Sequence, residues 1–403
     1  MNPRLIAIIS LFGSCLFPSG AEETKYHFDG AISRATLENY LSRAVTHVGL
    51  CRTSADPTTQ SLDDDIRMLV NIGAKFVGCT AFVWDLPRDE ERHFREVKAA
   101  VDQVHKADPE IILQACVFEA VFPGVKRIPV PSWVFKEFGL PVEKRNFDYG
   151  AMLYRDGHRV GQWRQVGSVP DMSQLETRMW FYYRSRRYID CGIEAIHFGQ
   201  VMIMDDADPG HRHWIDLLSR VRAYAKKHAR RRMVLCDAHT HGVVEDGRLL
   251  FDFHSFPLRI KEWKEPMQGV LPKRGHHGIY RRSKGGITPS GWFCESLPYL
   301  VEFDNWGYSG KGGEKVGGIW VWGYDEMSWF AHQSPEYRAK WLRYAVNWLK
   351  NYDPNGFLQM PTRRKLAAPV GDNIRIFAAN YRSPACPDGF GLEGEIRKIW
   401  LGK

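Results

Sequence analysis

Short apolar runs alternate with amphipathic stretches along almost the whole chain, and this rhythm limits the fold more than any other feature of the sequence. Residues 44–51 read as a first strand, followed by a helix over 62–73 with acidic residues in its first turn. Residues 75–84 read as a second strand. A charged helix at 89–106 follows, with Phe94, Val97, Ala100, Val101 and Val104 on one face. A third strand spans 111–122, and a long insertion rich in Pro and Gly runs from 123 to about 170. Further strands are expected at 193–198, 232–236, 249–253, 297–303 and 317–322, with helices at 173–188, 213–228 and 335–351.

Eight strands that mostly alternate with helices predict an α/β protein, a (β/α)₈ TIM barrel with a long loop after strand 3 and a short C-terminal extension. Doubly wound sheets share the alternation but carry a glycine-rich phosphate loop at their first turn, and neither GxGxxG nor GxxxxGK[ST] follows the first strand here. The predicted division is an export signal at 1–21, a barrel at 22–365 and an extension at 366–403. The signal reading rests on Arg4, the apolar run 5–17 and the small residues up to Ala21. It predicts a secreted or periplasmic protein without a transmembrane segment, with lipoprotein anchoring through Cys15 as the alternative. The other seven cysteines form no CxxC pair, and four of them, Cys51, Cys79, Cys116 and Cys236, sit in apolar runs as small hydrophobes.

Catalytic groups of a barrel project from the C-terminal ends of its strands. Polar residues crowd those positions here: Arg52, Glu119, His197, Gln200, Asp237, His239, Asp252, His254, Glu302 and Asp304. In the segment 299–307, period-two alternation puts Leu300, Glu302 and Asp304 on one face. Glycoside hydrolysis needs two carboxyl groups, and Glu302 is one candidate. Glu119, set among apolar residues, is a candidate acid because burial raises a carboxyl pKa. Glu326 is a third, with Trp320, Trp322 and Tyr324 expected on its face as a stacking platform. Trp84, ending the second strand, is another expected sugar contact.

With Glu302 ending the seventh strand and a Trp-rich eighth, the chain over roughly 40–350 resembles the clan of retaining (β/α)₈ glycosidases secreted by polysaccharide-degrading bacteria. That resemblance implies Glu302 as nucleophile and an acid/base ending strand four, usually as Asn-Glu. Here His197, Phe198, Gly199 and Gln200 stand in that place. The acid must then come from elsewhere, Glu119, Asp205 or Glu326, or the barrel does not hydrolyse.

Three alternatives stay open. In a metal-dependent hydrolase, Asp237, His239 and His254 would hold zinc or another divalent ion; otherwise no cofactor is expected. A non-catalytic sugar-binding barrel fits Gln200, and a lyase would use Tyr324 or a histidine as base. The expected partner is carbohydrate, and the net charge of +8 with the cluster 281–284 points to a sulfated or uronic one rather than nucleic acid. Sequence does not specify the oligomeric state.

Overall fold

The computed structural model describes residues 25–51, 61–81, 84–87, 89–163, 166–272 and 283–402. Arg52, Arg281, Arg282 and the expected export signal lie outside the described residues.

After helix α1 (Arg34–Leu41), the chain lays down strand β1 (Ala44–His47), helix α2 (Leu62–Ile72), strand β2 (Phe76–Ala81), helix α3 (Glu90–Ala107) and strand β3 (Ile112–Cys116). Helix α2 stops at Gly73, whose left-handed φ of 78° suits only glycine comfortably. Helix α3 starts where the Asp89 carboxylate accepts from Arg92 N, and it buries the five apolar residues named above. The insertion after β3 holds helix α4 (Ser132–Glu137), then come helix α5 (Leu175–Asp190), strand β4 (Ala195–His197), helix α6 (Arg212–His228) and strand β5 (Leu235–Ala238).

Next come two short pieces, β6 (Val244–Glu245) and β7 (Arg248–Leu249), before strand β8 (Phe253–Leu258). Four more short strands, β9 (Lys261–Glu262), β10 (Gly269–Val270), β11 (Gly286–Ile287) and β12 (Phe293–Cys294), lead to β13 (Tyr299–Phe303). The chain ends with helices α7 (Glu326–Ala331) and α8 (Pro335–Tyr352), strands β14 (Gly356–Leu358), β15 (Met360–Val370) and β16 (Ile374–Ala378), and helix α9 (Glu393–Trp400).

The main sheet has ten strands in the order β14-β13-β8-β5-β4-β3-β2-β1-β15-β16, parallel except for the β15–β16 pair. It is an α/β barrel-like sheet. Only Gln359 separates β14, paired with β13, from β15, paired with β1. Gln359 bonds to both sides, from its backbone N to Val301 O at 2.8 Å and from its side chain to Val45 O at 2.9 Å. β15 runs through residues 365 and 366, where the sequence places the start of its extension.

Two expected strands are corrected. The sixth is displaced, because 244–249 form the β6–β7 hairpin and the sheet strand begins at Phe253. Residues 317–322 are turns and not a sheet strand. Gly317, Gly318, Trp322 and Gly323 have φ of 70°, 69°, 49° and 77°, which no extended strand tolerates. The stretch that does pair beside β13 and β1 is 356–363.

The inner face is layered by strand periodicity. Ala44, Phe76, Ile112, Ala195, Leu235, Phe253 and Leu300, one from each of seven strands, form an apolar plug with Phe357 packed on it. Two residues further along, every one of these strands carries Thr46, Gly78, Gln114, His197, Asp237, Ser255, Glu302 or Gln359. A polar layer therefore sits directly above the plug. Gly78 leaves room for the Gln359 amide there, since an added Cβ would lie 2.0 Å from Gln359 Nε2 and displace it.

Candidate active site

Hydrogen bonds knit the polar layer together around Asp237, as buried polar groups require. Asp237, fully buried, accepts from Gln114 Nε2 at 2.7 Å on one oxygen. On the other it meets Ser255 Oγ at 2.7 Å and His197 Nδ1 at 2.8 Å. Burial alone would push the His197 imidazole down, but the Asp237 charge and hydrogen bond outweigh it and raise the pKa to about 9. His239 stands with its ring 4.6 Å from that of His197. Desolvation, together with the cations His197, Arg259 and Arg364, holds its pKa well below the usual imidazole value.

Across the mouth, Glu302 Oε2 accepts from Thr46 Oγ1 at 3.2 Å and from Arg364 Nη1 at 3.1 Å. Arg364 also reaches Asn305 Oδ1 at 3.3 Å. A second arginine, Arg259, donates from one nitrogen to Asp304 Oδ2 at 2.9 Å and to Glu326 Oε1 at 3.3 Å. Glu326 opens α7, whose N-cap is the Asp325 carboxylate accepting from Ser328 N. Burial dominates at Glu326 and raises its pKa to about 8 despite Arg259. Burial thus favours the protonated form of its carboxyl.

Glu119 is 4% exposed and spends both oxygens on Gln200, accepting from its backbone N at 3.0 Å and its side-chain Nε2 at 2.9 Å. The carboxylate thus braces the turn after β4. Gly199, at φ 67°, permits this approach, since a Cβ there would sit 1.8 Å from Glu119 Oε2. Gly199→Ala should therefore cost about 2 kcal/mol or more in stability, through left-handed strain plus overpacking. Urea unfolding checks this, and an unchanged midpoint would contradict the contact.

Aromatic rings line one side of the mouth in contact with each other. Phe118 packs edge-on against His197 at 5.5 Å, Trp84 lies 5.5 Å from Phe118 and from Trp163, and Trp306 lies 6.0 Å from Trp163. Trp306 is 52% exposed.

Not every expected site residue joins this constellation. The structure brings Glu302, Asp304, Glu326, Asp237, His197, His239, Gln200, Glu119 and Trp84 to the strand ends around the mouth. Asp252 precedes β8 and faces the helix layer, accepting from Arg222 Nη2 of α6 at 3.0 Å and from Cys236 N at 2.9 Å. His254 alternates with the inward Ser255 and so points away from Asp237, with Nδ1 3.0 Å from Ser283 Oγ. Asp237, His239 and His254 are thus not gathered as metal ligands. Among the described residues no group of three or more His, Cys, Asp or Glu is placed to hold a metal ion.

The expected Trp320–Trp322–Tyr324–Glu326 face does not form, because its strand does not form. Trp322 Nε1 donates to Gln268 O at 2.7 Å, and Tyr324 stacks between Tyr308 and His332. Sequence reasoning missed Gln114, Ser255, Arg259, Arg364, Trp163 and Trp306. The repeated apolar-then-polar step along each strand would have exposed the first two.

Titration of these groups sets the pH dependence of stability. His197, raised to about 9, contributes stability that is full below 6.5 and lost as pH rises through 9. Glu326 acts in the same direction, its contribution being full below 4.5 and lost as pH rises through 8. His93, His105 and His254 are lowered, chiefly by burial, to about 2, 4 and 3; their contribution is present above 6.5 and lost as pH falls toward those values. Between pH 7 and 9 His197 and Glu326 act in the same direction, so the melting temperature should fall over that interval. Scanning calorimetry from pH 5 to 9 checks this; a melting temperature climbing from pH 7 to 9 would contradict it.

No described protein family matches the sequence, and no curated protein is detectably similar to it. Solved structures of similar shape include a Salmonella typhimurium protein assigned to the alpha amylases, with 11% identity over 92% of this chain and 69% of that one, TM-score 0.46. A gamma-CGTase from alkalophilic Bacillus clarkii matches with 10% identity over 90% and 56%, TM-score 0.42. A beta-1,4-mannanase from the sea hare Aplysia kurodai matches with 10% identity over 79% and 87%, TM-score 0.33. The chain spans about half the length of others, 52% of a Nostoc punctiforme debranching enzyme. At such identities and scores the likeness carries no argument about what this chain does.

Proposed function

We propose that this chain is an exported glycoside hydrolase that cleaves its substrate at the mouth of a closed (β/α)₈ barrel, with residues 356–363 as the eighth stave. The observation that carries the reading is the meeting of Glu302, Asp304 and Glu326 with two arginines beside a wall of indole rings. Hydrolysis needs one carboxyl able to give a proton and one carboxylate able to attack the anomeric carbon or activate water. Glu326, kept protonated by burial, fits the first role, and Glu302, paired with Arg364, fits the second. Glu119 is a positioning residue that fixes Gln200. The exposed face of Trp306 offers a flat apolar surface to the C–H face of a sugar ring.

The test is release of reducing ends from a panel of neutral, uronic and sulfated polysaccharides, run with chelator and with added zinc. Release in chelator supports the reading. Silence in chelator with activity on zinc would replace it by metal-assisted hydrolysis, and silence in both with retained glycan binding would make the barrel a binder. Trp306→Ala should raise KM roughly fivefold, the loss of about 1 kcal/mol of stacking, with kcat and stability little changed. Steady-state kinetics on the cleaved glycan check this; an unchanged KM would remove Trp306 from the substrate path.

A further inference from the structure

Two buried ring nitrogens at the mouth, His197 Nε2 and His239 Nε2, have no hydrogen-bond partner among the described residues. His197 is 4% exposed, and its Nδ1 is pinned by Asp237, which turns Nε2 to the opposite side of the ring. The two rings lie 4.6 Å apart at 60°, and Phe118 closes against His197 edge-on. The guanidinium groups of Arg259 and Arg364 are near enough to act on His239 electrostatically. His197, protonated on both nitrogens beside Asp237, presents Nε2–H as a donor, and neutral His239 presents one in its Nε2–H tautomer. A buried donor without an acceptor is costly, so the pair suits a ligand that brings acceptors.

We propose that His197 and His239 form an anion subsite for an oxyanion substituent of the sugar, the carboxylate of a uronic acid or a sulfate ester. The proposal rests on the reading of the mouth as a sugar site, and it names the class of sugar. A carboxylate or sulfate presents several acceptor oxygens at once and can meet both nitrogens. A hydroxyl has one oxygen and carries no charge, so it cannot meet both nitrogens with charge-assisted bonds. The overall charge of +8 draws anionic polymers toward the chain.

The experiment is calorimetric titration of the full chain with methyl glucuronide, galactose 6-sulfate, their neutral parents methyl glucoside and galactose, and inorganic sulfate. At least one charged sugar should bind about tenfold or more tighter than its neutral parent, the factor one charge-assisted hydrogen bond carries. Whichever charged sugar shows the gap identifies the substituent. His197→Gln and His239→Gln should each abolish it. His239 lies outside the Asp237 network, so its variant remains informative if His197→Gln fails to fold.

Equal binding of charged and neutral sugars would overturn the subsite. So would a preference that survives in His239→Gln, or inorganic sulfate binding as tightly as the sulfated sugar. Hydrolysis of neutral glycans without any charge preference would remove the subsite and leave the glycosidase reading standing. Charge-selective binding without hydrolysis of any glycan would do the reverse.

Discussion

Glu302→Gln should lower kcat by on the order of 10³-fold or more, because it removes the carboxylate proposed to act on the reacting carbon or its water. The substitution keeps the shape of the side chain. The amide oxygen still accepts from Thr46 and Arg364, which now meet a neutral partner. The Arg364 side chain is only 11% exposed, so stability falls as well, by roughly 3 kcal/mol at the upper end, as a mostly buried cation loses its counter-charge. The two effects separate cleanly, because activity is measured below the melting transition and Arg364→Met restores neutrality without restoring a carboxylate. Glu119→Gln is the comparison, since that carboxylate faces Gln200. It should lower turnover far less. Equal losses in the two variants would mean that Glu302 does structural work only.

Asp237→Asn has the largest expected effect on the fold itself. Its carboxylate accepts from three side chains, Gln114, Ser255 and His197, with no exposure to water. An amide can keep the Gln114 bond but then turns an NH₂ toward Ser255 and His197, a donor where an acceptor is needed. His197 loses the charge that lifts its pKa. The expected cost is about 3–5 kcal/mol at pH 7, the range for breaking a buried ion pair on one side. Part of it should return in the double variant with His197→Gln, which removes the stranded cation. The fall in stability above pH 6.5 should also flatten, since burial, no longer opposed by the Asp237 charge, pushes His197 down rather than up. Chemical unfolding of the four proteins of this cycle at pH 6 and pH 8.5 checks both statements; a loss below about 1 kcal/mol would show that the network adds little.

The sequence made the outer architecture legible and the inner one only in part. Helices such as α3 and α8 announce themselves through capping residues and a 3.6-residue apolar stripe, both local properties. Strands β1 to β5 and β13 do so through apolar runs. The eighth strand is misplaced by the sequence pattern for a local reason. Residues 317–323 are as apolar as a strand, yet the glycines there take left-handed φ, which composition does not display. The stretch at 356–363 carries Gln359, Pro361 and Arg363 and does not look like a barrel stave.

The polar layer is hidden in the same way, since Gln114 inside β3 and Thr46 inside β1 read as breaks in apolar runs. Comparing strands, rather than reading each alone, reveals it: Ile112 then Gln114, Leu235 then Asp237, Phe253 then Ser255, Leu300 then Glu302. Glu302, His197 and Asp237 are legible because they end apolar runs. Asp252 misleads because the sheet strand begins at Phe253, four residues later than the apolar run 249–253 suggests, and alternation with the inward Phe253 turns the Asp252 side chain toward α6.

Whether a sugar is cleaved at Glu302 is decided by a crystal structure of the Glu302→Gln protein with an oligosaccharide bound. A sugar ring should lie on the face of Trp306, with an anomeric carbon about 3–3.5 Å from the residue 302 side chain, or one water away from it. An oligosaccharide seated outside the mouth, or one crossing it with residue 302 far from every anomeric carbon, would rule out cleavage there.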